Sequence, residues 1–146
     1  MPKQEYPSLL IFLCSIIYYV YLLDPFKWKP IKRNYKRLLA DPKYFRLNLW
    51  IAILFVSAGV MSLLLRGGKA GAEAFTMAPI LFVLLVKAVN SYSRKYYKRD
   101  FILLLRGDVI KTSLSDKLSS FIVILFPLVL SFGAAFFIVR RGLFIV

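Results

Sequence analysis

The sequence predicts an all-α polytopic membrane protein, with four transmembrane helices and amphipathic segments at the membrane interface. Three observations lead there. Hydrophobic residues make up 60% of the 146, with a mean hydropathy of +0.68, against about 45–50% in soluble domains. The apolar residues gather into four runs. The basic residues, which bring the formal charge to +14, gather between those runs. A soluble core of this chain length has too little interior for so much apolar surface, and lipid is the solvent that suits it. Residues 1–146 read as a single membrane domain.

The runs fall at about residues 8–23, 47–65, 74–91 and 118–139, against the roughly 20 residues a span requires. The first is short and reaches full length by counting Tyr18, Tyr19 and Tyr21 as interfacial. It follows one Lys and one Glu and leads to no small-residue cleavage site, so it is expected to stay in place as a helix rather than act as a cleaved signal. Asp24-Pro25 then reads as an N-cap followed by proline at a first helical position. In the basic loop 24–46, Ile31, Tyr35, Leu38 and Leu39 recur at helical spacing among Lys32, Arg33, Lys36 and Arg37. This predicts a helix lying on lipid headgroups. Trp28, Tyr44, Phe45 and Trp50 make an interfacial aromatic belt.

Asp41-Pro42 caps the helix that becomes the second span. The glycine-rich stretch from Gly67 to Gly71 is a hairpin into the third, where Ala70, Ala74 and Ala78 repeat every four residues. Tyr97, Phe101, Leu104 and Leu105 continue a helical spacing up to Gly107, predicting that the third helix runs on past the membrane within the second basic loop, 92–117. Ser113 or Ser115 caps the fourth helix, with Asp116 favouring its positive end. Arg140, Arg141 and Gly142 suit its other end.

Orientation follows from charge. Loop 24–46 holds eight basic residues and loop 92–117 holds seven, whereas the short loop between the second and third spans has only Arg66 and Lys69. The positive-inside rule puts both basic loops in the cytoplasm and both termini outside, in a membrane expected to be the bacterial inner membrane. Lys32, Arg33, Lys36, Arg37, Lys95, Lys98 and Arg99 are the expected contacts to anionic headgroups. This accounts for the positive charge without nucleic acid, for which no recognition motif is present.

The chemistry is defined mostly by what is missing. The chain has no histidine and one cysteine, Cys14. Imidazole-ligated metals, Ser-His-Asp triads, an intrachain disulfide and cysteine metal clusters are thereby excluded. No phosphate-binding loop or paired carboxylate site is present, so the expectation is a non-enzymatic protein without cofactor or metal. Glu73 sits at the start of the third span and Lys87 near its cytoplasmic end. Asp100, Asp108 and Asp116 are eight apart but share no helix face.

Small residues mark candidate packing faces: Ala58 with Ser62, Ser131 with Ala135, and Ala74 with Ala78, at the spacing that lets helices approach in lipid. Pro127 is a candidate hinge in the fourth span. The expected function is helix packing against another membrane protein, as an accessory subunit or a toxin-immunity protein. An oligomeric transport or channel component and a lipid-modifying enzyme subunit using the basic loops are the alternatives, and the expected partners are the anionic bilayer and another membrane protein or a homo-oligomer.

Overall fold

The computed structural model describes residues 6–24, 34–65, 72–104 and 113–141. Helix α1 spans Tyr6–Leu23, α2 Asn34–Ala40 and α3 Pro42–Leu65. A 3-10 turn, Ala72–Thr76, leads into α4, Met77–Tyr97, and α5 is Leu114–Arg141. No strand occurs among the described residues. Three of the helical stretches, Pro42–Leu65, Glu73–Tyr97 and Leu114–Arg140, are long and apolar enough to cross a membrane, and Leu9–Leu23 is a shorter apolar helix. The chain is an integral membrane protein by this criterion.

Helix α4 is the centre. Half of its most apolar stretch is buried against the rest of the chain, compared with 17% for α3 and for α5. Phe82, Val83 and Val86 lie on its inner side with Tyr19 and Leu22 of α1 and Val123 of α5. The remaining faces of α3 and α5 carry exposed Leu54, Met61, Phe121, Phe132 and Phe136, which suits lipid as the surrounding solvent.

The helix boundaries have local causes. The Asp41 carboxylate accepts from the Lys43 amide at 2.9 Å, and Pro42 follows as the first residue of α3. Ser113, rather than Ser115, caps α5. The Asp116 amide donates to Ser113 Oγ at 3.4 Å, while the Asp116 carboxylate accepts from the Ser113 amide at 3.2 Å, a reciprocal capping arrangement. Asp24 differs from expectation. It adopts φ 46° and its amide donates to the Val20 carbonyl at 2.9 Å. It therefore closes α1 in the left-handed geometry of a helix C-terminus, whereas an N-cap is extended. Pro25, Trp28, Ile31, Lys32 and Arg33 lie outside the described residues.

Two further sequence expectations need correction. Helix α2 does not offer its apolar face to headgroups, because Tyr35 and Leu38 are buried against the bundle. Its basic residues, Lys36 and Arg37, are exposed. The third helix does not continue through Phe101 either. It ends at Tyr97, and Lys98 turns the chain at φ 55°. The following residues are non-helical, and Phe101 and Leu103 bury their side chains in the core. Residues two apart thus share a buried face, as in extended chain; burying both non-local apolar groups outweighs prolonging an exposed helix by one turn.

Pro127 is fully buried inside an α5 that stays helical through it. The Tyr19 hydroxyl donates to the Ile124 carbonyl at 2.6 Å, and the Ser131 hydroxyl donates to the Pro127 carbonyl at 2.7 Å. A proline disturbs the ladder one turn before itself, and Tyr19 supplies a donor in that region. Gly59 permits a close approach of α3 to the 3-10 turn. A Cβ placed there would lie within 3.0 Å of the Thr76 side chain, whose hydroxyl is already committed to the Glu73 carbonyl at 2.7 Å.

Two stability outcomes follow. Gly59→Val forces α3 away from the 3-10 turn and lowers unfolding stability in detergent by about 1–3 kcal/mol, the usual range for overpacking. Tyr19→Phe removes one interhelical hydrogen bond and costs about 0.5–2 kcal/mol in the same denaturation measurement.

Candidate functional site

Polar groups converge at the two ends of the bundle. At the basic end, the segment 98–104 crosses the helices as a strap, and its buried backbone must find partners without water. The Phe101 amide donates to Asn90 Oδ1 at 2.8 Å, the Leu103 amide to the Tyr35 hydroxyl at 3.2 Å, and the Leu104 amide to Ser120 Oγ at 2.9 Å. Ser120 Oγ in turn donates to the Ile102 carbonyl at 3.2 Å, and Ser93 Oγ to the Arg99 carbonyl at 3.0 Å. Helices α2, α4 and α5 are tied to one strap.

Two ion pairs close it. Arg99 reaches Asp116 at 2.6 Å, with the Asp116 side chain 6% exposed. Arg94 and Asp100 meet at 2.5 Å on the surface. The hydrogen bond from Arg94 holds the Asp100 carboxyl below the usual carboxylate range. The carboxylates at 100 and 116 thus have structural partners in separate pairs, and Asp108 lies outside the described residues. No group of three potential metal ligands occurs among the described residues.

A second polar chain joins α1, α2 and α3. The Tyr18 hydroxyl donates to Asn48 Oδ1 at 2.7 Å, Asn48 Nδ2 donates to the Tyr44 carbonyl at 2.8 Å, and the Tyr21 and Tyr44 hydroxyls are 3.0 Å apart. Asn34 Nδ2 donates to the Tyr21 carbonyl at 2.7 Å, satisfying an acceptor that the last turn of α1 leaves open.

At the opposite end lies Glu73, 3% exposed on the 3-10 turn. Ser62 Oγ donates to its Oε1 at 3.1 Å, while Oε2 is buried with no hydrogen-bond partner among the described residues. An unsatisfied buried carboxylate oxygen is costly, and an ionisable group within a membrane bundle points to function.

The small residues divide by role. Ala74, Ala78 and Ser131 are buried inside the bundle, and Ser62 is half-buried on Glu73. Ala58 faces outward, Ala135 is half-buried, and Gly133 has open space where a side chain would stand. Of the cations expected at headgroups, Lys36, Arg37, Lys95 and Lys98 are exposed. Arg37 lies 4.4 Å from the Tyr44 ring centre, and Arg99 is taken by Asp116. The sequence pattern missed Asn90 and Ser120 and read Tyr35 only as part of an apolar stripe, because a polar group that bonds a distant backbone has no local signature.

No protein-family model, curated protein or solved structure matches this chain.

The strap yields two predictions. Asn90→Ala leaves the Phe101 amide buried without an acceptor, so amide hydrogen exchange at Phe101 and Leu103 accelerates at least tenfold while mid-helix amides of α3 change little. Asp100 has a lowered carboxyl pKa, so its pairing favours the folded state above the unfolded value of about 3.9. That contribution disappears as pH falls through the lower folded value. The difference in unfolding temperature between wild type and Asp100→Asn, small because the pair is exposed, therefore closes below about pH 4.

Proposed function

We propose that this chain is a non-enzymatic protein of the bacterial inner membrane that acts by packing against another membrane protein, as an accessory subunit or an immunity-type protein. In this reading α1, α3, α4 with its 3-10 turn, and α5 form four spans. The segments around α2 and the strap face the cytoplasm, and both termini lie outside, as the distribution of basic residues favours. The observation that carries the reading is the uncovered state of α3 and α5. Only 17% of the apolar stretch of each is buried, and small residues on both, Ala58 and Gly133, are open for a neighbouring helix to approach closely. The described polar side chains support it too, since most serve the strap, the caps and the interhelical bonds of the chain itself.

Purification of the full chain from its host in mild detergent tests this. A stoichiometric membrane partner is expected, and Ala58→Leu and Gly133→Leu are expected to reduce its recovery at least tenfold without lowering the unfolding temperature. Recovery of a homo-oligomer alone, or partner recovery unchanged in both variants, defeats the reading. Ser131→Leu is unsuitable for this purpose because it disrupts the interior.

A second reading, an oligomeric transport component with Pro127 as hinge, draws on Glu73 Oε2. Under it, Glu73→Gln abolishes a transport activity measured in vesicles while leaving partner recovery intact.

A further inference from the structure

A cleft of about 450 Å³ opens at the basic end between α2, α3 and α4. Leu38, Leu39 and Phe45 give it an apolar wall, and Arg46, Lys87 and Arg94 line it too, with the Lys87 ammonium over the Phe45 ring. We propose that this cleft binds the phosphate of an anionic phospholipid. The site is distinct from the exposed basic residues of the surrounding segments, because it combines three cations from two helices with an apolar wall in one concavity.

The charges within the cleft favour an anion. Among the described residues no carboxylate lines it. Lys87 Nζ sits 4.3 Å from the centre of the Phe45 ring, on a cation-π contact rather than an ion pair. Among the described residues Arg46 Nε makes one long contact, 3.5 Å, to the Pro42 carbonyl. Arg94 gives its Nε to Asp100, which leaves the other guanidinium donors for a second acceptor. The nearby Asp41 carboxylate is committed to the Lys43 amide. Arginine forks and a lysine ammonium are the groups that recognise phosphate. Ser91 adds a hydroxyl at the rim.

Depth selects a lipid over a soluble anion. The stretch Glu73–Tyr97 has 25 residues, about 37 Å of helix against about 30 Å of hydrocarbon. Within the apolar run 74–91 Lys87 lies four residues, about 6 Å, before the cytoplasmic end, so its ammonium snorkels to the headgroups. A cation rooted there meets lipid phosphates directly, and the apolar wall receives the glycerol and the first acyl carbons. The same ammonium explains why a lysine is tolerated in a span-length helix.

The test uses the full chain, stripped of lipid in detergent and titrated with phosphatidylglycerol or phosphatidylcholine while bound lipid is read by native mass spectrometry. Phosphatidylglycerol adducts are expected to form at least tenfold more readily than phosphatidylcholine adducts. The Arg46→Gln/Lys87→Gln double variant is expected to lose that preference at least tenfold. Lys36→Gln/Lys95→Gln, which removes the same charge outside the cleft, is expected to retain it, as is Lys87→Arg. Both substituted cations have exposed side chains, so an unchanged unfolding temperature accompanies the loss. Equal binding of the two lipids, or an unchanged preference in the cleft double variant, overturns the proposal. Displacement of phosphatidylglycerol by equimolar inorganic phosphate also overturns it, because the site would then recognise free phosphate.

Discussion

Once α4 ends at Tyr97, the backbone of residues 98–104 has to be satisfied inside the protein, and much of the basic end is organised by that requirement. Buried amides with no water to bond must meet an acceptor, and a helix would have supplied one from its own chain. The strap instead takes Asn90 from α4, Tyr35 from α2 and Ser120 from α5. Three elements far apart in sequence are fixed to one segment by this requirement, and Phe101 and Leu103 can then enter the core. Burying each large apolar side chain is worth about 1.5–3 kcal/mol, which offsets the conformational entropy lost in ordering non-helical chain.

Inside the bundle the polar groups follow a related logic. Helices in lipid gain little from hiding apolar faces from one another, so close packing and hydrogen bonds carry the specificity. Tyr19 reaching the Ile124 carbonyl, Tyr18 meeting Asn48, and Gly59 admitting Thr76 are the devices used here. They tie α1 and α3 into the bundle and join α1 to α5 near Pro127, where the ladder of a long helix is weakest. Glu73 stands apart because one of its oxygens is buried without a partner among the described residues.

The two ends differ in chemical character. The basic end holds a positively charged cleft with an apolar wall, suited to the boundary between headgroups and hydrocarbon. The opposite end holds a carboxylate enclosed by α3 and the 3-10 turn. The chain has no histidine and one cysteine, and its excess positive charge lies between the apolar runs, where the positive-inside rule applies. The outward faces of α3 and α5 carry large apolar side chains together with Ala58 and Gly133.

The sequence by itself determined the membrane class, the four apolar runs, the placement of charge and the Asp41-Pro42 start of α3, because hydropathy and capping act over a few neighbouring residues. The capping box at Ser113 and Asp116 was legible for the same reason, down to a choice between two serines. Tertiary structure decided the rest. The spacing of Tyr97, Phe101, Leu104 and Leu105 fits a helix, yet Phe101 and Leu103 turn inward on extended chain because the core and three distant side chains accept them there. Tyr35 and Leu38 fit a lipid-facing stripe equally well, and only the adjoining helices make them core residues. Arg46, Lys87 and Arg94 are spread over 49 positions of sequence, and a shared cleft arises only when α3 and α4 pack side by side. Local pattern fixes which segments leave water; which side chains then meet depends on contacts between residues that the sequence holds far apart.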